Sequence, residues 1–254
     1  MQNNADRAST PFNMLEWLDC ALFLDFDGTL VDLAATPDAV VVAPELVDAL
    51  RILFARRDGR LAIISGRPIA QIDALLATLI LPVAGVHGME RRDAGGRLHF
   101  APIPSFSAGL ARALQLAALD PRLLVEQKRG AMALHYRQAP ELEQLCLAEM
   151  RAAIRECPGM QLLHGKMVIE VKPAGISKAT AIRDFLAEPP YSGCRPLFAG
   201  DDTTDEVGFA YVQEAGGLGL KIGTGPSVAR YRIAAPQALR MQLVQAAQFL
   251  SEGI

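Results

Sequence analysis

Two carboxylates stand one residue apart at the end of an apolar run, in Leu22-Phe23-Leu24-Asp25-Phe26-Asp27-Gly28-Thr29-Leu30. Side chains alternate along an extended chain, so Asp25 and Asp27 are expected on one side and Phe26 on the other. Two like charges so close are costly unless a cation or a proton lies between them. A bound Mg²⁺ would relieve part of the repulsion. The pair could then divide its work, one carboxylate ionised as nucleophile and the other protonated as acid. Gly28 permits a sharp turn or close approach to an anion. The plain alternative is a strand running into an Asp-Gly turn.

Several elements must place this pair. The run over 22–24 suits a buried strand of a parallel sheet, and in open α/β sheets ligands bind beyond the carboxyl ends of such strands. Residues 61–64 form a second buried run, leading into Ser65-Gly66-Arg67-Pro68 and a helix over 68–79. A hydroxyl and backbone N–H groups at a helix start make an anion site, unless Ser65 is only an N-cap. The apolar run from Pro196 ends in Asp201-Asp202-Thr203-Thr204-Asp205-Glu206, which reads either as site acids or as a capping cluster for a helix over 205–214. Ser177 fits the N-cap of a helix to 187, with Lys178 its first residue: a site cation, or a solvated helix lysine.

The remaining chain reads as a loop over 31–42, a helix over 44–57, a strand over 83–86 and a hairpin over 91–100. Pro102 and Pro104 mark a boundary. Helices over 106–119 and 140–157 then alternate with strands over 123–126, 131–136, 160–163 and 167–171. That pattern suggests a small α+β layer inserted into an α/β core. A strand over 217–222 and a helix over 238–250 complete the core. The expected division is a tail over 1–19, a core over 20–103 and 173–254, and an inserted cap over 104–172. Residues 1–11 read as a loosely docked tail; Phe12, Leu15, Trp17 and Leu18 would dock it on the first strand, with Trp17 in the core.

The 254 residues suffice for one large or two modest domains. With 51% hydrophobic and 21% charged residues the chain is of ordinary globular composition. A net charge of -3 gives no bulk electrostatic reason to expect nucleic acid or an anionic membrane. Cys20, Cys146, Cys157 and Cys194 are widely spaced, without a C-x-x-C, so a disulfide framework or zinc site is not expected and a reducing cytoplasm is. No stretch reads as a leader or a membrane span. A monomer acting on a small molecule is expected.

The order D-x-D-G-T, then S-G-R, then S-K, then G-D-D-x-T-D-E resembles the four motifs of the haloacid dehalogenase (HAD) superfamily, most of whose members are phosphatases. The resemblance implies a Rossmann-like α/β core with a parallel sheet and an inserted α+β cap of the C2 type. It implies that Asp25 attacks phosphorus to form an aspartyl-phosphate. Asp27 would protonate the leaving alcohol and later deprotonate the attacking water. Ser65 and Lys178 would bind the transferred phosphoryl group. Mg²⁺ would be held by the side chains of Asp25 and Asp201 and the backbone carbonyl of Asp27, with Asp202 and Asp205 in support.

A narrower resemblance adds V-H-G-M-E at 86–90, V-E-x-K at 125–128, A-L-H-Y-R at 133–137 and G-K-x-V-x-E-V-K-P at 165–173. With these, the chain resembles the trehalose-6-phosphate phosphatase family over 20–235. That implies hydrolysis of trehalose 6-phosphate, the last step of trehalose biosynthesis. It further implies that Glu126, Lys128 and Glu170 of the cap bind sugar hydroxyls, which suits a polyol whose every buried OH needs a partner. Gly66, Arg67 and His87 are expected at the substrate. Arg67 could instead ion-pair with the acidic loops, and His87 could be a satisfied loop histidine. His135 and Arg137 share one strand face, which either meets the site or holds the cap together, with the second reading preferred. Glu206 is expected to orient Lys178 or the metal-site loop. Ala179 departs from the glycine usual in the family, with little consequence. The alternatives are a phosphatase for another sugar phosphate, of the sucrose or mannosylglycerate type, and a non-catalytic sugar-phosphate sensor.

Overall fold

The computed structural model describes residues 17–34, 36–165 and 167–252. The expected tail over 1–11, the docking residues Phe12 and Leu15, and Lys166 of the G-K-x-V motif lie outside the described residues. In chain order the elements are β1 (Ala21–Leu24), α1 (Pro44–Arg56), β2 (Leu61–Ile64), α2 (Ile69–Leu76), β3 (Val83–Gly85), β4 (Glu90–Arg92), β5 (Leu98–Phe100), α3 (Ser107–Leu119), β6 (Leu124–Lys128), β7 (Ala131–His135), α4 (Glu143–Ile154), β8 (Met160–Gly165), β9 (Val168–Pro173), α5 (Lys178–Leu186), β10 (Pro196–Gly200), α6 (Glu206–Glu214), β11 (Leu218–Ile222), β12 (Tyr231–Ile233) and α7 (Pro236–Ser251). They fall into two compact units, one up to His99 and from Ser177 on, the other Phe100–Ile176. No helix among the described residues is long and apolar enough to cross a membrane.

The first unit is built on a sheet of order β12-β11-β10-β1-β2-β3-β4-β5. β1 lies at its centre, parallel to both β10 and β2, with Phe23 opposite Phe198 on one side and Ala62 on the other. All four residues of β1 are buried, which is why the run is continuously apolar rather than alternating. Its two faces nonetheless feed two different layers. Leu22 and Leu24 pack with Leu50 of α1, Ile72 of α2 and Leu243 of α7. Ala21 and Phe23 pack with Phe185 of α5 and Phe209 of α6. Helices thus cover both faces of the sheet, as a parallel sheet requires. The chain leaves β1 for β2 on one side and returns through β10 on the other, so the crevice beyond β1 lies where the strand order reverses. Trp17 is buried in the first of these layers.

In the second unit the antiparallel sheet has the order β6-β7-β9-β8. Met132, Leu134, Ile169 and Val171 turn to one face and pack on Leu116 of α3 and Met150 of α4. Alternation therefore sends Ala133 and Glu170, which are directly paired, to the other face; Glu126 is paired with Ala133 from the opposite side.

Most element bounds lie within two residues of the sequence expectation, and three elements differ by more. α2 ends at Leu76 because Ala77 takes a left-handed backbone conformation, φ 55°. α4 starts at Glu143, because Pro140–Leu142 form a single 3₁₀ turn ahead of it. β12 was not legible: three residues at a sheet edge carry no periodic pattern.

Candidate active site

Asp25 follows the last residue of β1, and its amide still bonds to Ala199 O of β10 at 2.9 Å. The chain then turns back on itself. Leu30 N and Val31 N both donate to Phe26 O, and Gly28 N donates to Val31 O at 2.8 Å. Gly28 is required here twice over. Its φ is 76°, and a Cβ would stand 2.1 Å from Asp201 Oδ2. The Asp201 carboxylate is seated against that bare backbone.

The buried Asp25 carboxylate has two partners. Lys178 Nζ donates to Oδ1 at 2.6 Å and Thr29 Oγ1 donates to Oδ2 at 3.0 Å. Lys178 is only 4% exposed and also donates to Asp205 Oδ1 at 2.6 Å. Its place is set by a capping box at the start of α5: Ser177 Oγ accepts from Thr180 N and Thr180 Oγ1 accepts from Ser177 N. The other Asp205 oxygen accepts from the amides of Asp201 and Asp202, both at 2.9 Å. Asp205 thus ties Lys178 to the loop that carries Asp201. Lys221, buried in β11, donates to the Asp201 carbonyl.

Asp25, Asp201 and Asp205 each place a carboxylate oxygen within 4.8 Å of the other two. Burial pushes the Asp25 carboxyl up; Lys178 opposes the shift, and Asp205 and Asp201 add to it. Burial and then the charge of Asp205 push Asp201 up to about 6. Burial works against the Lys178 ammonium, but Asp205 and Asp25 hold it well above the usual lysine range. The cluster is short of positive charge, and its donors are all oxygen. Both features suit a hard divalent cation. Both oxygens of Asp25 and both of Asp205 have protein partners, whereas Asp201 Oδ1 accepts only a long 3.5 Å hydrogen bond from Thr29 Oγ1, so Asp201 is the least committed of the three.

Ser65 follows β2 and is buried; its Oγ accepts from Arg67 N at 3.0 Å. The amide of Ile69 at the start of α2 donates to Glu90 Oε1 at 2.5 Å, so Glu90 already takes this helix-start donor. Arg67 turns its guanidinium to Asp27, with Nε to Oδ2 at 2.7 Å and Nη2 to Oδ1 at 2.8 Å. Of the two sequence alternatives for Arg67, the structure displays the ion pair. His87 is buried, with its amide on Ser65 O and its ring close over Gly66, whose absent Cβ would lie 3.0 Å away. Asp202 is exposed. Glu206 bonds neither Lys178 nor the acids; its Oε2 accepts from Val228 N at 2.7 Å, anchoring the loop after β11. The expectation for Glu206 at Lys178 is corrected accordingly: Asp205, one residue earlier, does that work.

The second unit carries its own cluster. Lys128 Nζ lies 3.6 Å from Glu126 Oε2 and 3.7 Å from Glu170 Oε1. His135 Nε2 is 3.1 Å from Glu126 Oε2. That hydrogen bond outweighs the effect of burial and, with Lys128, holds Glu126 below the usual carboxylate range. Ala131 and Ala133 sit between these strands' charged residues, paired with Lys128 and Glu126.

Sequence reasoning missed Thr29, Lys221 and Glu90. Thr29 lay in plain view within D-x-D-G-T, four residues after Asp25. No local signal marks Lys221, because its role depends on β11 pairing with β10, with Lys221 opposite Gly200.

Comparison with known proteins agrees with the geometry. The chain is 43% identical over 219 residues to trehalose-6-phosphate phosphatase of Escherichia coli (strain K12), covering 84% of this chain and 81% of that one. It is 44% identical over 206 residues to a probable trehalose-phosphate phosphatase of Sinorhizobium fredii, covering 80% and 77%. Among solved structures, a trehalose-6-phosphate phosphatase related protein superposes with a TM-score of 0.77 at 24% identity, covering 92% of this chain and 99% of that one. The C-terminal domain of the Candida albicans trehalose-6-phosphate phosphatase gives 0.79 at 22%, covering 93% and 97%. A HAD subclass IIB sugar phosphatase gives 0.57 at 14%, covering 91% and 98%. Below 25% identity these structural likenesses concern the fold, which is that of the HAD phosphatases. The trehalose-phosphatase family model matches residues 23–239, and the chain belongs to that family.

Proposed function

We propose that this protein hydrolyses trehalose 6-phosphate to trehalose and inorganic phosphate. The observation that carries the reading is the buried Asp25 carboxylate, held between Lys178 and Thr29 beside Asp201 at the end of the central strand. The relatives' names supply the sugar, and the carboxylates and ammonium on the β6-β7-β9 face suit a polyol.

Asp25 is the nucleophile. One of its oxygens bonds to phosphorus as the ester P–O bond breaks, giving an aspartyl-phosphate and the free alcohol. Asp27 supplies the proton that the leaving oxygen needs. It then takes a proton from the water that attacks the aspartyl-phosphate, and phosphate leaves with the Asp25 carboxylate restored. Lys178 offsets charge on the transferred group, and Ser65 donates its hydroxyl to it. Arg67 fixes the orientation of Asp27. Asp25 and Asp201, with the carbonyl of Asp27, are the groups that would hold Mg²⁺. When bound, Mg²⁺ supplies positive charge to the phosphoryl oxygens. In the second unit Glu126, Lys128 and Glu170 bind the sugar hydroxyls; in the first, Gly66 and His87 are the further substrate residues of this reading.

The test is phosphate release from a panel of sugar phosphates, with Mg²⁺ and with chelator, for the wild type and Asp25→Asn. Selective, Mg²⁺-dependent release from trehalose 6-phosphate, lost in the variant, is expected. Selective release from another sugar phosphate would discard the substrate and keep the chemistry. No release from any would favour a sensor.

A further inference from the structure

His135 stands outside the three cap residues assigned above, yet it shares their sheet face. It lies two residues beyond Ala133 on β7, and Ala133 pairs with both Glu126 and Glu170. Its Nε2 is 3.1 Å from Glu126 Oε2. An ionised carboxylate can only accept, so Nε2 is the nitrogen that carries the proton in this pair. Lys128 reaches the same oxygen from 3.6 Å, beyond hydrogen-bond range. Both cationic or donating neighbours therefore fall on Oε2. Among the described residues, no other side chain bonds Glu126 Oε1.

We propose that His135 is a positioning residue for sugar recognition: its hydrogen bond to Oε2 fixes the Glu126 carboxylate so that Oε1 faces a sugar hydroxyl. A glutamate has three side-chain torsions, and an unanchored one must lose that freedom when it binds a ligand. The imidazole removes the cost beforehand. Lys128, looser at 3.6 and 3.7 Å from its two carboxylates, remains able to turn to a second hydroxyl. The proposal rests on the reading that this face binds the sugar.

The test uses the full chain with Mg²⁺, comparing trehalose 6-phosphate with p-nitrophenyl phosphate, which has no sugar hydroxyls. His135→Ala should raise KM for trehalose 6-phosphate about five- to tenfold, the usual net weight of one hydrogen bond, with a smaller change in kcat. The ratio of kcat/KM for the sugar phosphate to that for the aryl phosphate should fall by the same factor. His135→Gln keeps an N–H donor and should recover part of the loss. In a Glu126→Gln background, His135→Ala should add less than about twofold, because the two act as a unit. An unchanged KM, full additivity, or an equal fall on both substrates with a lower melting temperature would overturn the proposal. A wild type that cleaves p-nitrophenyl phosphate but not trehalose 6-phosphate would instead overturn the substrate reading, and this proposal with it.

Discussion

Arg67 grips Asp27 through two parallel hydrogen bonds, Nε to Oδ2 at 2.7 Å and Nη2 to Oδ1 at 2.8 Å. The fork matches the planar carboxylate and sets the direction in which the carboxylate points, which a lysine cannot do. Arg67→Lys should therefore lower kcat for trehalose 6-phosphate about 10- to 100-fold, the range of a misplaced acid–base group, with a smaller effect on KM. A large rise in KM at unchanged kcat would show instead that Arg67 contacts the substrate. Steady-state kinetics separate the two.

Gly28 is the second point of geometric constraint. Gly28→Ala places a methyl where the Asp201 carboxylate now sits, in a left-handed backbone conformation. Strain of this kind costs about 1–3 kcal/mol, visible in urea unfolding. Displacing Asp201 should also weaken Mg²⁺ binding, measured by titration calorimetry on the inactive Asp27→Asn background. Unchanged Mg²⁺ affinity would remove Asp201 from the metal site.

Lys178 is nearly inaccessible and joins Asp25 to Asp205. Lys178→Met leaves both carboxylates buried without their ammonium. Breaking a buried pair from one side costs about 3–5 kcal/mol, so the melting temperature should drop sharply and activity should vanish. Wild-type stability in the variant would mean the acids rearrange to reach water.

Mg²⁺ binding should depend on pH. Asp201 is raised to about 6 by burial and by Asp205, so below that pH the cation must displace a proton. Apparent Mg²⁺ affinity should fall about tenfold per pH unit below about 6 and level off above it. The sign for the metal-free protein is opposite. A raised carboxyl binds its proton more tightly folded than unfolded, so its contribution to stability is present at low pH and is lost as pH rises through about 6. Thermal melts of wild type and Asp201→Asn between pH 5 and 7, with chelator, should converge on the acidic side. Parallel curves would place the titration elsewhere.

The candidate site was legible because it is local. Each motif joins an apolar strand to the polar residue that follows it, so strand ends and site residues appear together in the sequence. The pattern was readable at Asp25, Ser65 and Asp201, and the Ser177 cap located Lys178. Glu206 and Asp205 were harder to separate, since adjacent residues at a helix start differ by about 100° in direction. Only the turn geometry decided that Asp205 faces Lys178. His135 and Arg67 each had two readings, because the sequence shows which residues share a strand or loop but not which acid lies opposite.

The sequence by itself determined the α/β core, the interruption by an α+β segment, and which polar side chains stand at the ends of its central strands. Periodicity and strand-end composition depend only on neighbours in the chain. Tertiary structure alone decided the partnerships: Lys178 with two carboxylates 153 and 27 residues away, Lys221 with the Asp201 carbonyl through β10–β11 pairing, and His135 with Glu126 across β6–β7. Such contacts depend on the order and register of strands, which are set by the burial of whole faces rather than by any local run of residues.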